Sequence, residues 1–215
     1  MIVGIPKESL NEERRVGLTP AGVELLTAEG HTCYVELGAG LGAGFADTDY
    51  QKAGARIVYS GEEVYGRAEL VLKVTRPTLE EFEWLQDSQI LMSFLSLAAA
   101  RRDKVDMLLK RRAIAIAYET VENDDGTLPI LAPMSQIAGR MCPHIAATLL
   151  QNDHGGKGVL LGGVPGVPAA DVVILGAGTL GTNAARAFLG EGARVVVLDH
   201  DLHKLQHITN YSRAA

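Results

Sequence analysis

The chain has 215 residues, of which 47% are hydrophobic and 21% are charged, as is typical of a folded protein with one large or two modest domains. The net charge is −6 with acids and bases scattered, no apolar run is long enough to span a membrane, and the N-terminus has no signal-peptide pattern. We therefore expect neither a nucleic-acid-binding nor a membrane protein. Because Cys33 and Cys142 lack metal-ligand spacing, reduced thiols, a cytoplasmic location and no metal site are expected.

Short apolar runs alternate with helical patterns through residues 1–129. Such alternation predicts an α/β domain whose mainly parallel sheet is covered by helices on both faces. The candidate strands are Ile2–Pro6, Thr32–Glu36, Arg56–Tyr59, Leu70–Val74, Ile90–Leu95 and Ala113–Tyr118, and the candidate helices are Pro20–Glu29, Asp49–Ala53, Glu62–Arg67, Leu79–Leu85 and Ala98–Lys110.

Three of these helices carry start signals in the sequence. Thr19 followed by Pro20 predicts an N-cap with proline at the first helical position. Ser60 stands three residues before Glu63, and Thr78 stands three before Glu81, so both pairs predict capping boxes.

A turn over residues 124–129 predicts the boundary between a first domain, 1–129, and a second domain, 130–215. A helical pattern over 134–150 is expected to link the two domains. The stretch Gly155–Pro168 is too rich in glycine and proline to form one regular element.

Residues 171–199 contain the dinucleotide-binding fingerprint in its full context of strand, Gly-rich turn, helix, strand and acid. Gly176 permits the turn, Gly178 lets a pyrophosphate approach the backbone, and Gly181 lets the helix pack against the strand. Thr179 and Leu180 open that helix, whose N–H groups face the phosphates. Asp199 would accept hydrogen bonds from a ribose diol and repel a 2′-phosphate, which favours NAD over NADP. The alternative is a Rossmann unit that binds nothing.

The second domain is expected to be incomplete. A doubly wound dinucleotide domain needs two βαβαβ halves, and only 16 residues follow Asp199, enough for one helix.

Several motifs together resemble the alanine dehydrogenase family, which is grouped with the NAD-binding subunit of proton-translocating transhydrogenase. The resemblance implies two Rossmann-like domains with a cleft between them, and reversible deamination of L-alanine to pyruvate and ammonia with NAD. It also implies a homo-oligomer, a hexamer in the family. The motifs are GIPKE (4–8), ERRVGLTPAGV (13–23), ELGAGLGAGFADTDY (36–50), AYET (117–120), LAPMSQIAGRM (131–141) and GGVPGVPAADVVILGAGTLGTNAAR (162–186).

The resemblance also assigns roles to individual residues. It implies that Arg15 and Lys73 bind the substrate carboxylate, with Lys73 also able to act on the carbonyl. The alternatives are a solvated loop arginine and a surface lysine at a strand end. Met134 and Ser135 would line the cleft near the nicotinamide and the substrate, although Ser135 is equally plausible as a helix N-cap. Glu119 would orient Lys73 or close the site.

Ser96 departs from the family pattern, which has a histidine at this position as the general acid and base. An imidazole can both give and take a proton near neutral pH, whereas an alcohol needs its own base. The six histidines offer no obvious substitute, and His207, for example, is expected at the surface. Ser96 leaves open two alternatives to alanine oxidation: a transhydrogenase-like or other amino-acid dehydrogenase branch, and a non-catalytic NAD-binding fragment that acts through assembly.

Overall fold

The structure is a computed structural model that describes residues 1–10, 12–99 and 102–212. It divides into two units, unit 1 over Met1–Glu122 and unit 2 over Asn123–Ala215. Both units are α/β, as the sequence predicts. The domain boundary expected after residue 129 stays a prediction.

Unit 1 contains a six-stranded parallel sheet with the strand order β3-β2-β1-β4-β5-β6. The chain winds outward from β1 on one side and restarts beside it with β4, which is the doubly wound arrangement. All six strands lie within one residue of their expected ends. The elements are β1 (Ile2–Ile5), α1 (Pro20–Ala28), β2 (Thr32–Glu36), α2 (Asp47–Lys52), β3 (Arg56–Val58), α3 (Gly61–Arg67), β4 (Leu70–Thr75), α4 (Leu79–Trp84), β5 (Ile90–Phe94), α5 (Arg102–Lys110) and β6 (Ile114–Ala117).

Two hydrophobic clusters cover the sheet of unit 1. One packs α1 and α2 against β1 and β2, and it includes Val23, Val35 and Tyr50. The other packs α3, α4 and α5 against β4 and β5, and it includes Phe82 and Leu91. The central strands read as nearly continuous apolar runs because both of their faces are buried.

The predicted helix starts are confirmed with one exception. The Thr19 hydroxyl accepts from the Gly22 N–H, and the Thr78–Glu81 box is complete in both directions. Ser60 accepts from the Glu63 N–H, but the Glu63 carboxylate accepts from the Tyr59 N–H at 3.1 Å. The second box therefore reaches one residue further back than the sequence predicts.

The expected helix Ala98–Lys110 is shorter in the structure. A single 3₁₀ turn covers Leu97–Ala99 and α5 begins at Arg102, while residues 100–101 lie outside the described part of the chain.

Unit 2 consists of a long helix followed by one strand–helix–strand–helix run. The elements are α6 (Leu131–Leu150), β7 (Asp171–Leu175), α7 (Thr179–Gly190), β8 (Arg194–Leu198) and α8 (Leu202–Ser212), and β7 pairs with β8 in parallel. Within the described ranges no helix is both long and apolar enough to cross a membrane.

The helix α6 starts earlier than the sequence predicts, at Leu131 rather than at residue 134. Ser135 therefore lies one turn inside the helix, where its own backbone is helical. The prediction that Ser135 caps this helix is wrong, because the cap position is occupied by Ile130.

A glycine sets the close packing of α6 on α7. A Cβ added at Gly139 would lie 2.4 Å from the Leu180 carbonyl oxygen and 2.8 Å from the Asn183 Cβ. The backbones of the two helices therefore approach to a distance that only glycine allows at this position.

We expect Gly139→Ala to destabilise unit 2 by about 1–3 kcal/mol, because the added methyl group must push α7 away. Gly190→Ala is the matched control, since a Cβ at Gly190, at the end of α7, meets nothing within 4 Å and alanine favours a helix. Urea unfolding should be followed by circular dichroism, with fluorescence of Trp84, the single tryptophan, reporting on unit 1. A Gly139→Ala protein as stable as the Gly190→Ala protein would show that the helices are free to separate.

Candidate functional site

A buried lysine lies where the winding of unit 1 reverses. Lys73 is on β4, next to β1, and its side chain is 0% exposed. Its Nζ lies 2.7 Å from Glu81 Oε1 and 3.3 Å from Glu8 Oε2, and both carboxylates are also buried. A buried ammonium is tolerated only with such partners. The alternative of a surface lysine at a strand end is therefore wrong.

Glu8 and Glu81 also bind backbone groups. Glu8 accepts from the Val74 N–H at 2.6 Å, from the Thr75 N–H at 3.3 Å and from the Thr75 hydroxyl. Glu81 accepts from the Thr78 N–H at 2.7 Å through the oxygen that does not contact Lys73. These carboxylates therefore join the end of β1, the end of β4 and the start of α4.

Sequence reasoning missed Glu8 and Glu81 as the partners of Lys73. It used Glu81 only as a capping residue and Glu8 only as part of a motif. The available signal was the lysine itself, since a lysine within an apolar strand requires buried counter-charges from elsewhere in the chain.

A third carboxylate lies within electrostatic reach of this ion pair. Glu36, the last residue of β2, accepts from the Lys7 N–H at 2.8 Å. Burial raises the pKa of Glu36, while the nearby charges of Lys7 and Lys73 act in the opposite direction. The hydroxyl of Tyr65 on α3 is buried and finds no hydrogen-bond partner among the described residues. Burial, and then the charges of the three carboxylates, raise the pKa of Tyr65 well above its usual value.

Arg15 lies in the loop after β1, and this loop is held against β4. A Cβ at Gly17 would come within 2.3 Å of the Leu72 carbonyl oxygen, so the backbone of the loop touches that strand. Arg15 is bidentate to Glu13, with Nε 2.8 Å from Oε1 and Nη2 2.6 Å from Oε2. Its pKa is raised mainly by that hydrogen bond and also by the charge of Glu8. Arg15 is therefore half-exposed but held in place, on the side of the sheet where Glu8 and Lys73 meet.

Ser96 follows β5 in a left-handed conformation, with φ of +47°. Its backbone N–H donates to Glu119 Oε1 at 2.5 Å, and Glu119 comes directly after β6. Glu119 Oε2 is buried, and the described residues give it no hydrogen-bond donor. Glu119 therefore holds the Ser96 loop, and the prediction that it orients Lys73 is wrong, because Glu8 and Glu81 do so.

In unit 2 the three fingerprint glycines have distinct geometries. Gly176 has φ of +105°, which favours glycine. A Cβ at Gly178 would meet nothing within 4 Å, so the space in front of this backbone is open. A Cβ at Gly181 would lie 1.9 Å from the Gly176 carbonyl oxygen, so glycine is required where the helix crosses the turn.

Asp199 connects the end of β8 to the Gly-rich turn. Its Oδ2 accepts from the Ala177 N–H at 2.6 Å and its Oδ1 accepts from the Asp201 N–H at 2.8 Å. These two backbone donors lower the pKa of Asp199 and keep it ionised.

An open cavity of about 380 Å³ borders the start of α7. Gly178 and Thr179 line one side, and Arg186, Lys204 and His207 also line it. The cavity combines helix N–H groups with basic side chains, which suits an anionic ligand. The fingerprint predicts the first two residues, but the sequence offered no signal for the basic ones.

Met134 and Ser135 both lie in the first turns of α6 and are partly buried. Their expected position near a nicotinamide and a substrate stays a prediction.

Two family models match the chain. The model for the N-terminal domain of alanine dehydrogenase/PNT covers residues 4–138, and the one for the C-terminal domain covers residues 142–215. Over 208 residues the chain is 50% identical to an alanine dehydrogenase of Mycobacterium tuberculosis and 48% identical to that of Methanococcus maripaludis. This alignment covers 97% of the chain but only 56% of each relative, so the chain spans just over half of their length.

Solved structures agree with these matches. An L-alanine dehydrogenase structure that is 46% identical superposes with a TM-score of 0.86, over 98% of this chain and 58% of that one. A transhydrogenase from Sinorhizobium meliloti, at 24% identity, gives a TM-score of 0.75 over 99% of this chain and 60% of that one, and shows the shared fold.

We expect Lys73→Met to destabilise unit 1 by about 3–5 kcal/mol at neutral pH, because Glu8 and Glu81 lose their buried cation. Adding Glu81→Gln to this variant should recover part of the loss. Lys52→Met is the matched control, since Lys52 is exposed and its contact to Asp49 is 3.8 Å long, a kind of pair worth at most about 1 kcal/mol. Urea unfolding followed by Trp84 fluorescence measures all three proteins. Equal losses for the two single variants would contradict a stabilising role for the buried cluster.

Proposed function

We propose that this chain, which belongs to the alanine dehydrogenase/PNT family, holds the substrate and the NAD of an L-alanine:NAD oxidoreductase. The observation that carries the proposal is the pairing of two sites. Unit 1 places Arg15 beside the Glu8–Lys73 ion pair, and unit 2 has the full strand, Gly-rich turn, helix, strand and acid of a dinucleotide site.

In unit 1 the substrate is the carboxylate of alanine or pyruvate. The Arg15 guanidinium presents a planar pair of N–H donors that matches a carboxylate, and it already binds that of Glu13 in this way. A substrate would replace Glu13 on Arg15 and approach Lys73 from the same side of the sheet. Met134 would contribute apolar contact. Arg15 and Lys73 bind the carboxylate in ground and transition states alike, so they contribute mainly to affinity.

In unit 2 the cofactor is NAD, which would accept a hydride from the substrate when it is bound. The open backbone at Gly176 and Gly178 fits a pyrophosphate, and the N–H groups at Thr179, Leu180 and Gly181 lie at the positive end of α7. Asp199 would accept hydrogen bonds from the adenosine ribose, and its charge disfavours a 2′-phosphate. We assign Ser135 to the cofactor side of the site, as the family resemblance implies.

Ser96 is the position that determines proton transfer in this proposal. Its hydroxyl can donate a hydrogen bond to the substrate oxygen or hold a water molecule, but serine does not take up a proton at neutral pH. General acid–base help is worth on the order of a hundred- to ten-thousand-fold in rate. We therefore propose a site that binds its ligands but turns them over slowly at best.

The proposal includes the setting of the protein. We propose a homo-oligomer, a hexamer as the family resemblance implies, in the cytoplasm. Both cysteines are free thiols, as a reducing compartment requires.

We expect ADP-ribose to bind this chain about as tightly as NAD, because unit 2 provides contacts to the adenosine and pyrophosphate. Asp199→Asn should weaken both ligands roughly tenfold and reduce the preference for NAD over NADP. Asp171→Asn is the matched control, since Asp171 pairs with Arg194 at the opposite end of β7. Calorimetry decides: tight binding that depends on the nicotinamide, or an Asp199→Asn protein that binds normally, would count against this assignment.

We expect Arg15→Ala to weaken pyruvate binding by about 10- to 100-fold, because two charge-assisted hydrogen bonds are lost. Arg15→Lys should recover only part of the affinity, since an ammonium lacks the fork geometry. Arg14→Ala is the control and should bind pyruvate like the parent. Protein-observed NMR titration with pyruvate measures the three variants. Unchanged affinity in Arg15→Ala would remove Arg15 from the substrate site.

A further inference from the structure

The buried cluster of unit 1 holds more negative than positive charge. Glu8 and Glu81 both contact Lys73, so the ion-paired group carries a net charge of −1. Glu36 adds a third carboxylate, whose charge interacts with those of Lys73 and Glu81. A substrate carboxylate that approaches Lys73 would bring a further negative charge into the same poorly solvated region, where like charges repel strongly.

The neighbourhood offers little cationic compensation for that extra charge. Lys7 acts on Glu36 from the loop after β1, and Arg15 acts on Glu8 from the following turn. Tyr65, which faces the cluster from α3, is held in its neutral form, because burial and the three carboxylates raise its pKa well above the usual value. The remaining way to offset the charge of an incoming carboxylate is to protonate one of the carboxylates already present.

The three carboxylates differ in how many donors stabilise their ionised form. Glu8 accepts three hydrogen bonds at the end of β4 in addition to its contact with Lys73. Glu81 accepts from the Thr78 N–H and from Lys73. Glu36 has one recorded donor, the Lys7 N–H, and is only partly buried, so solvent protons reach it. Glu36 is therefore the carboxylate that is easiest to protonate.

We propose that binding of the substrate carboxylate beside Lys73 takes up one proton from solvent, and that Glu36 receives it. The inference deepens the proposed function and rests on it, because the ligand is the substrate of unit 1. The proton forms an O–H bond on one Glu36 oxygen, and no other covalent bond changes. Glu36 is a positioning residue in this scheme, since it acts on the substrate through the charge of the cluster.

Thermodynamic linkage gives the sign of the effect. The bound substrate makes Glu36 hold its proton more strongly, so affinity is highest at low pH and falls as pH rises. The pKa of Glu36 is already raised by burial, which moves this window upward from that of an ordinary glutamate. One proton linked to binding changes the dissociation constant by at most tenfold per pH unit.

The test is an NMR titration of the labelled 215-residue chain with pyruvate across about pH 6 to 8, where the pyruvate carboxylate stays ionised. The amide signals of Val74 and Thr75, which donate to Glu8, report on the site. We expect the dissociation constant to rise by up to about tenfold per pH unit in the parent. Glu36→Gln should bind pyruvate with little pH dependence. Glu80→Gln, an exposed change next to Glu81, should keep the slope of the parent.

Each other outcome is decisive. A flat profile in the parent, or an unchanged slope in Glu36→Gln, overturns the inference and leaves the substrate site standing. No pyruvate binding at any pH overturns the proposed substrate site and the inference with it. If Glu36→Gln does not fold, the carboxyl carbon of Glu36 is followed in the parent protein. Its titration should move to higher pH when pyruvate is added, and an unmoved titration overturns the inference.

Discussion

The structure of unit 1 depends on neutralising one buried ammonium group. Lys73 lies in the middle of a sheet whose neighbouring side chains are apolar, and its side chain is fully shielded from water. The two carboxylates that compensate it come from the end of β1 and from α4, and each also binds backbone N–H groups. Meeting this one requirement therefore joins three elements at the carboxyl end of the sheet, where doubly wound folds bind their ligands.

Unit 2 uses a carboxylate for a related purpose. Asp199 accepts from the Ala177 N–H across the Gly-rich turn, so the turn is held in shape by an acid from the neighbouring strand. The same acid is the group expected to select the ribose. In both units an ionised side chain thus orders the backbone around the site and also faces the ligand, which limits how freely these acids can be replaced.

The sequence predicted local features well and long-range ones poorly. The six strands of unit 1 and the fingerprint in unit 2 follow from apolar periodicity and turn chemistry, which act over a few residues. The partners of Lys73 were missed because Glu8 lies 65 residues away along the chain, and no local pattern encodes that contact. Ser135 was misplaced for a different reason: a serine that suits a cap is also tolerated inside a helix, and α6 begins one turn earlier than its pattern indicates.

The left-handed backbone at Ser96 has a consequence for how this site can evolve. A φ of +47° excludes β-branched side chains, but it is tolerated by a small group of residue types that includes asparagine, aspartate and histidine. The N–H that anchors the loop to Glu119 belongs to the main chain, so the anchor does not depend on which side chain stands at 96. Serine and histidine can therefore replace one another here without remodelling the loop. Proton-transfer capacity can be lost and regained at this position by substitution alone, while the surrounding architecture stays under independent selection.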